Sequence, residues 1–198
     1  ESRKKNYDES LALNKRSLAI REEIGDKKGM GRSLANIGMI YKNLKDYANA
    51  LIYSKRALMY FEEINENGLK SHVLTINSSI YSAMGDLPKA IKCAARSLKI
   101  AEQSKNILSY SKTLLTLSGL CNKAHDYTKA IEYADKAKEI CLKTDNRNNL
   151  LVALLYRSQA LIGEKRFDEA LAECDEMLSI IDSNDIPSFY ISAKATIG

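Results

Sequence analysis

A chain that overlays itself at one fixed spacing has few folds open to it, and this one does so at 40 residues. Ala50, Ala90, Ala130 and Ala170 stand in one column, with Ser10 in the same register. The next column holds Leu11, Leu51, Ile91, Ile131 and Leu171. Three residues before the alanines come Tyr7, Tyr47, Leu87, Tyr127 and Phe167. Upstream stand Leu34, Leu74, Leu114 and Leu154, and four residues after each leucine comes a small residue: Gly38, Ser78, Ser118, Ser158. A unit this small cannot bury its apolar face alone, so it stacks on its neighbours, and the repetition predicts an array of similar units.

Within a unit the apolar positions recur at helical spacing. Leu34, Ile37, Tyr41 and Leu44 mark a helix over about 28–44, and Tyr47, Ala50, Leu51, Ala57, Leu58 and Phe61 mark a second one. The two- or three-residue turn between them holds Asp46, Asp86 or Asp126, each placed to accept the free N–H groups that open the next helix. Pro88 falls in a first helical turn, where a missing N–H costs nothing. Polar clusters separate the units: Gly25-Asp26, Asn65-Glu66-Asn67, Lys105-Asn106, Asp145-Asn146 and Ser183-Asn184-Asp185. With nine glycines and two prolines in 198 residues, turns are too few for a many-stranded β fold. The pattern predicts helices over 7–24, 28–44, 47–64, 68–84, 87–104, 108–124, 127–143, 148–163, 167–182 and 186–197.

These columns resemble the tetratricopeptide repeat (TPR). The family's first helix carries a large apolar residue, an apolar-small pair and an aromatic; Leu34, Ile37-Gly38 and Tyr41 match it, as do Leu74, Ser78 and Tyr81. Its second helix carries alanines, here Ala50 with Ala57, and Ala130 with Ala134 and Ala137. Asn77 and Arg157 depart from it where an apolar residue is expected, Cys121 and Leu161 replace the aromatic, and the closing proline is absent. The 40-residue spacing exceeds the family's usual ~34, lengthening the helices by ~9 Å in total; this longer form is similar to that of bacterial signalling regulators and eukaryotic polarity adaptors. The resemblance implies an all-α, right-handed superhelical solenoid of antiparallel helix pairs. A half repeat over 1–24 would precede repeats at 28–64, 68–104, 108–143 and 148–182 and the start of another at 186–198. Neither end carries a polar capping helix, so the chain is expected to be a single solenoid cut from a longer protein.

The formal charge of +5 is uneven: residues 1–150 carry 26 basic and 17 acidic residues, residues 151–198 carry four and eight. Lys and Arg are mostly interleaved with Glu and Asp, as in Arg21-Glu22-Glu23, which describes a solvated helical face and no nucleic-acid footprint. The longest apolar run, Leu150 to Tyr156, is far short of the ~20 residues a membrane span needs. Cys93, Cys121, Cys141 and Cys174 form no CxxC pair and fit thiols in a reducing, cytoplasmic compartment, although a periplasmic protein can also carry unpaired cysteines.

Catalytic patterns are missing. His72 and His125 lie 53 residues apart with no metal-ligand spacing. Asp126 beside His125 sits where a helix cap belongs rather than as half of a dyad. Gly25, Gly29 and Gly31 precede a helix without a phosphate-loop lysine, and no GxSxG occurs. No cofactor, no metal and no enzymatic activity are expected.

What remains is surface. The first helices of stacked hairpins line one face of a solenoid, and their positions outside the core columns are the candidate protein-binding residues: Arg32, Asn36, Met39, Asn43, His72, Thr75, Ser79, Lys112, Thr116, Asn122, Tyr156 and Gln159. The family's carboxylate-clamp columns hold Ala35 and Met39, so capture of a chain-terminal carboxylate is not expected. Tyr156 is the preferred anchor, because hot spots are rich in tyrosine and no core column claims it. The expected function is a scaffold that binds a peptide or protein on its concave face. The alternative is a ligand- or peptide-sensing module of a bacterial sensor kinase or transcription regulator.

Overall fold

The computed structural model describes residues 2–181, with side chains from residue 6 onward. Among them are nine α-helices and no strand: α1 (Ser2–Glu23), α2 (Lys27–Asn43), α3 (Tyr47–Glu63), α4 (Asn67–Ala83), α5 (Leu87–Gln103), α6 (Ile107–Lys123), α7 (Tyr127–Lys143), α8 (Arg147–Gly163) and α9 (Phe167–Ile180). The chain divides after Asn106 into two compact units. The first holds α1 and the antiparallel pairs α2/α3 and α4/α5; the second holds α6/α7 and α8/α9. The expected boundaries of α2 to α8 hold to within one residue. α1 starts at Ser2, five residues early, because nothing in 2–6 breaks a helix. The expected 186–197 helix lies outside the described residues.

The cadence is finer than the 40-residue repeat. From α2 to α8 every helix has 17 residues, and joints of three residues follow one another every 20. The middle residue of each joint takes a left-handed φ of 49–82°: Gly25, Lys45, Asn65, Gly85, Lys105, His125, Asp145 and Lys165. That conformation turns the chain so that the outgoing helix is closed by two crossed hydrogen bonds. At the first joint of α2/α3, the Asp46 N–H reaches the Tyr41 carbonyl at 2.9 Å and the Lys45 N–H reaches that of Lys42 at 2.9 Å. All eight joints repeat the longer bond, at 2.9–3.1 Å. The same third residue then opens the next helix. Asp26, Asp46, Asp86, Asp126 and Asn146 each accept the backbone N–H three residues on. One residue thus ends one helix and begins another.

The repeat columns are the contact surfaces. Ala50, Ala90, Ala130 and Ala170 are wholly enclosed, as are Leu34, Leu114 and Leu154. The small column touches the alanine column directly: the Ser78 hydroxyl donates to the Ala90 carbonyl at 2.9 Å, and Ser118 to that of Ala130 at 2.8 Å. At Gly38 an added Cβ would lie 3.1 Å from the Ala50 carbonyl oxygen. Around these contacts the first unit packs Ile37, Phe61, Val73 and Ile80, and the second packs Cys141, Leu150, Cys174 and Met177 around Leu154.

The two departures from the apolar pattern have different solutions. Asn77 is buried and hydrogen-bonded to the Ser54 hydroxyl of the preceding pair. Arg157 forks between Asp135 and Glu173, each at 2.6 Å. Lys138, in the column of Leu58, Leu98 and Leu178, joins the network through Glu176 at 2.6 Å and the second Glu173 oxygen at 3.6 Å. Burial pushes the Glu173 carboxyl up against the pull of the two cations.

Candidate protein-binding face

The first helices bury one side against their partners and turn the other outward. On α2, Leu34 and Ile37 are fully enclosed and Gly38 meets α3, which leaves Arg32, Asn36, Met39 and Asn43 exposed along one stripe. Asn36 Nδ2 donates to Asn14 Oδ1 of α1 at 3.3 Å, so its amide is oriented though solvent-facing.

On α4 the three expected residues separate. His72 is exposed. Thr75 is half-buried and its hydroxyl lies toward the partner helix, 3.1 Å from the Ser71 carbonyl oxygen and 3.2 Å from Ser97 Oγ of α5. The Ser79 hydroxyl is spent on the Ile76 carbonyl at 2.8 Å. Thr75 therefore helps join two helices, and the sequence signal for this was present: Ser71 and Ser97 are themselves buried polar residues on the facing sides.

In the second unit, Lys112 and Gln159 are exposed, and the Thr116 hydroxyl donates to the Lys112 carbonyl at 3.0 Å. Asn122 and Tyr156 act together. Asn122 Nδ2 donates to the Tyr156 carbonyl at 2.8 Å, tying α6 to α8, while its Oδ1 is buried without a hydrogen bond. The Tyr156 ring lies half-buried against Gly119, where an added Cβ would stand 3.0 Å from the ring. Only a glycine admits the ring this closely. Val152, half-buried in the column of Arg32, borders the same stripe and is not among the residues expected from the sequence.

His125 holds the left-handed joint position, its Nδ1 2.7 Å from the Tyr127 hydroxyl. Asp126 is engaged by Lys129, through Nζ at 2.6 Å and the backbone N–H at 3.4 Å, and the side-chain bond holds its carboxyl below the usual range. Burial pushes the Cys93, Cys121 and Cys141 thiols up, away from the reactive thiolate. None of the four cysteines is disulfide-bonded. Among the described residues there is no His/Cys/Asp/Glu group able to hold a metal ion, and no helix long and apolar enough to cross a membrane.

Helix pairs of this geometry invite comparison with known proteins. Residues 1–63 match the tetratricopeptide repeat family. Over that stretch the chain carries the tetratricopeptide repeat pattern. No curated protein sequence matches it. BtubC (BKLC) from P. vanneervenii shares the TPR-type fold at a TM-score of 0.85 and 13% identity, over 96% of this chain and 82% of that one. The apo form of RapI superposes at 0.83 with 18% identity, over 100% of this chain and 54% of its own. A Rap protein complexed with Competence and Sporulation Factor superposes at 0.77 with 16% identity, over 91% and 50%. The chain thus spans about half the length of the two Rap proteins. At these identities the likeness is one of fold.

Proposed function

We propose that this TPR chain is a non-enzymatic interaction scaffold whose first helices hold a peptide or protein partner along their outward, concave side. The supporting observation is the α2 stripe: Arg32, Asn36, Met39 and Asn43 stand exposed directly over a fully enclosed row, a rigid base for exposed hydrogen-bonding groups. His72 adds to it on α4; on the first helices of the second unit, taken by itself, Lys112 and Gln159 are the exposed groups and Tyr156 is the aromatic anchor. The scaffold works in the cytoplasm, without nucleic acid or membrane as partner.

Selection of binders from a displayed random-peptide library tests the reading. Asn36→Ala and Tyr156→Ala are each expected to weaken the best selected peptide about tenfold, the scale of a modest hot spot, with the melting temperature nearly unchanged. Normal binding by both variants, or early melting of Tyr156→Ala, overturns the assignment. A second reading, a sensing module that regulates an attached output domain, draws on the likeness to the Rap protein complexed with Competence and Sporulation Factor. Its sign is a change in small-angle scattering when the selected peptide binds.

A further inference from the structure

The second helices of the first unit carry a surface that the scaffold reading does not use. Lys15 and Arg16 on α1, Lys55 and Arg56 on α3, and Lys92 and Lys99 on α5 are all exposed, and none has an ion-pair partner among the described residues. Two carboxylates of α3 are already engaged: Glu62 by Arg96 at 2.7 Å, and Glu63 by Lys27. The Arg96–Glu62 pair brings α3 and α5 within side-chain reach of one another at that point. Residues 1–106 hold 19 basic and 12 acidic residues, so the excess is local and real.

Apolar groups stand among these cations. Ile52 is 54% and Met59 68% exposed, and with Lys55 and Arg56 they form one stripe of α3. A recess of about 400 Å³ lined by Arg56, Met59, Tyr60 and Glu63 lies beside it. Arg56 is held in place: its guanidinium lies 6.0 Å over the Tyr53 ring, whose plane stacks on Tyr41 at 5.3 Å and 17°. A pre-ordered cation loses less freedom on pairing than a free one.

The geometry points to a docking surface for an acidic polypeptide segment of a partner protein, carrying apolar side chains spaced to reach both Ile52 and Met59, about 10 Å apart along the helix. Charge complementarity names the acidity, because unpaired cations on three helices await anions. The apolar pair names a polypeptide rather than a nucleic acid: a phosphate backbone offers nothing to Ile52 or Met59. The aromatic nearest to them cannot stack on a base, since Tyr53 is covered by Tyr41 and Arg56. This surface is independent of the first-helix stripe, and each can be occupied or lost without the other.

The test uses the whole chain and a labelled helical peptide of about 15 residues, Glu or Asp at most positions and Leu at every third or fourth. Its Gln-substituted twin, a thymidine single strand and vesicles containing phosphatidylserine serve as alternatives. The acidic peptide is expected to bind, weakening about tenfold between about 50 and 500 mM salt. Lys55→Glu with Arg56→Glu, or Lys92→Glu with Lys99→Glu should the first pair fail to fold, is expected to weaken it about tenfold or more, and Met59→Ser several-fold. Asn36→Ala is expected to leave it unchanged, which separates this surface from the first-helix stripe. No binding of the acidic peptide, equal binding of the Gln twin, tighter binding of the strand or the vesicles, or indifference to charge reversal overturns the proposal.

Discussion

Residues 1–106 and residues 107–198 are built from one repeat yet dispose of charge in opposite ways. In the first unit the interhelical columns stay uncharged, and Lys15, Arg16, Lys55, Arg56, Lys92 and Lys99 of the second helices face outward without ion-pair partners among the described residues. In the second, Lys138 and Arg157 occupy the interhelical columns themselves, with side chains only 22% and 19% exposed, and Glu173 and Glu176 on α9 and Asp135 on α7 neutralise them. The comparison separates what the fold requires from what it tolerates. The enclosed alanine and leucine columns and the crossed bonds of the joints occur in both units. The column of Ile37 accepts Ile, Asn, Leu or Arg, provided that each polar group finds a partner.

The comparison can be broken most sharply at Arg157. Arg157→Ala leaves Glu173 buried beside a single cation and is expected to cost ~3 kcal/mol in chemical denaturation. Transplanting the apolar solution, with Arg157→Leu, Glu173→Tyr and Lys138→Leu together, is expected to restore stability to within ~1 kcal/mol of the parent or above it. If the triple variant is no more stable than Arg157→Ala, the ion network is not an exchangeable substitute for the apolar columns.

A smaller effect tests what the units share. Ala90→Leu in the first and Ala130→Leu in the second overpack equivalent, fully enclosed positions, and each is expected to cost ~1–3 kcal/mol by thermal melting, whereas Lys92→Leu on the exposed side changes little. Unequal costs for the two alanines would show that the units differ in packing as well as charge.

The smallest effect lies in the joints. Asn146→Ala removes a neutral cap and is expected to cost ~1 kcal/mol at every pH. Asp126→Ala behaves differently. The Lys129 side-chain bond lowers the folded-state pKa of Asp126 below its unfolded value, so its contribution is present above the ordinary carboxylate range and is lost as pH falls through the lowered folded value. Melting curves of parent and Asp126→Ala should therefore converge in acid, while those of parent and Asn146→Ala stay apart.

Much of this was legible in the sequence because helix ends are chemically marked. Asp46, Asp86 and Asp126 cap as their positions predict, and the columns that repeat are the columns that touch. The 20-residue cadence was hidden because first and second helices carry different residues, and only their shared backbone geometry makes them equivalent. No side-chain rule marks Lys45, Lys105 or Lys165 as left-handed, since the joint imposes that conformation from outside at roughly 1–2 kcal/mol each. The face was harder still. Which way Thr75 or Tyr156 turns depends on a small rotation of one helix against the next, and the ring of Tyr156 finds its place through Gly119, 37 residues away.

The joints also decide how such a chain comes to be folded. Their crossed bonds join residues three and five apart, and within each unit each helix packs against its neighbour in sequence, so few distant segments must find one another before order begins. Contacts of such short range favour rapid folding. Within a unit, a hairpin completed early in synthesis offers the next one a finished surface to grow on, so order spreads from wherever it starts.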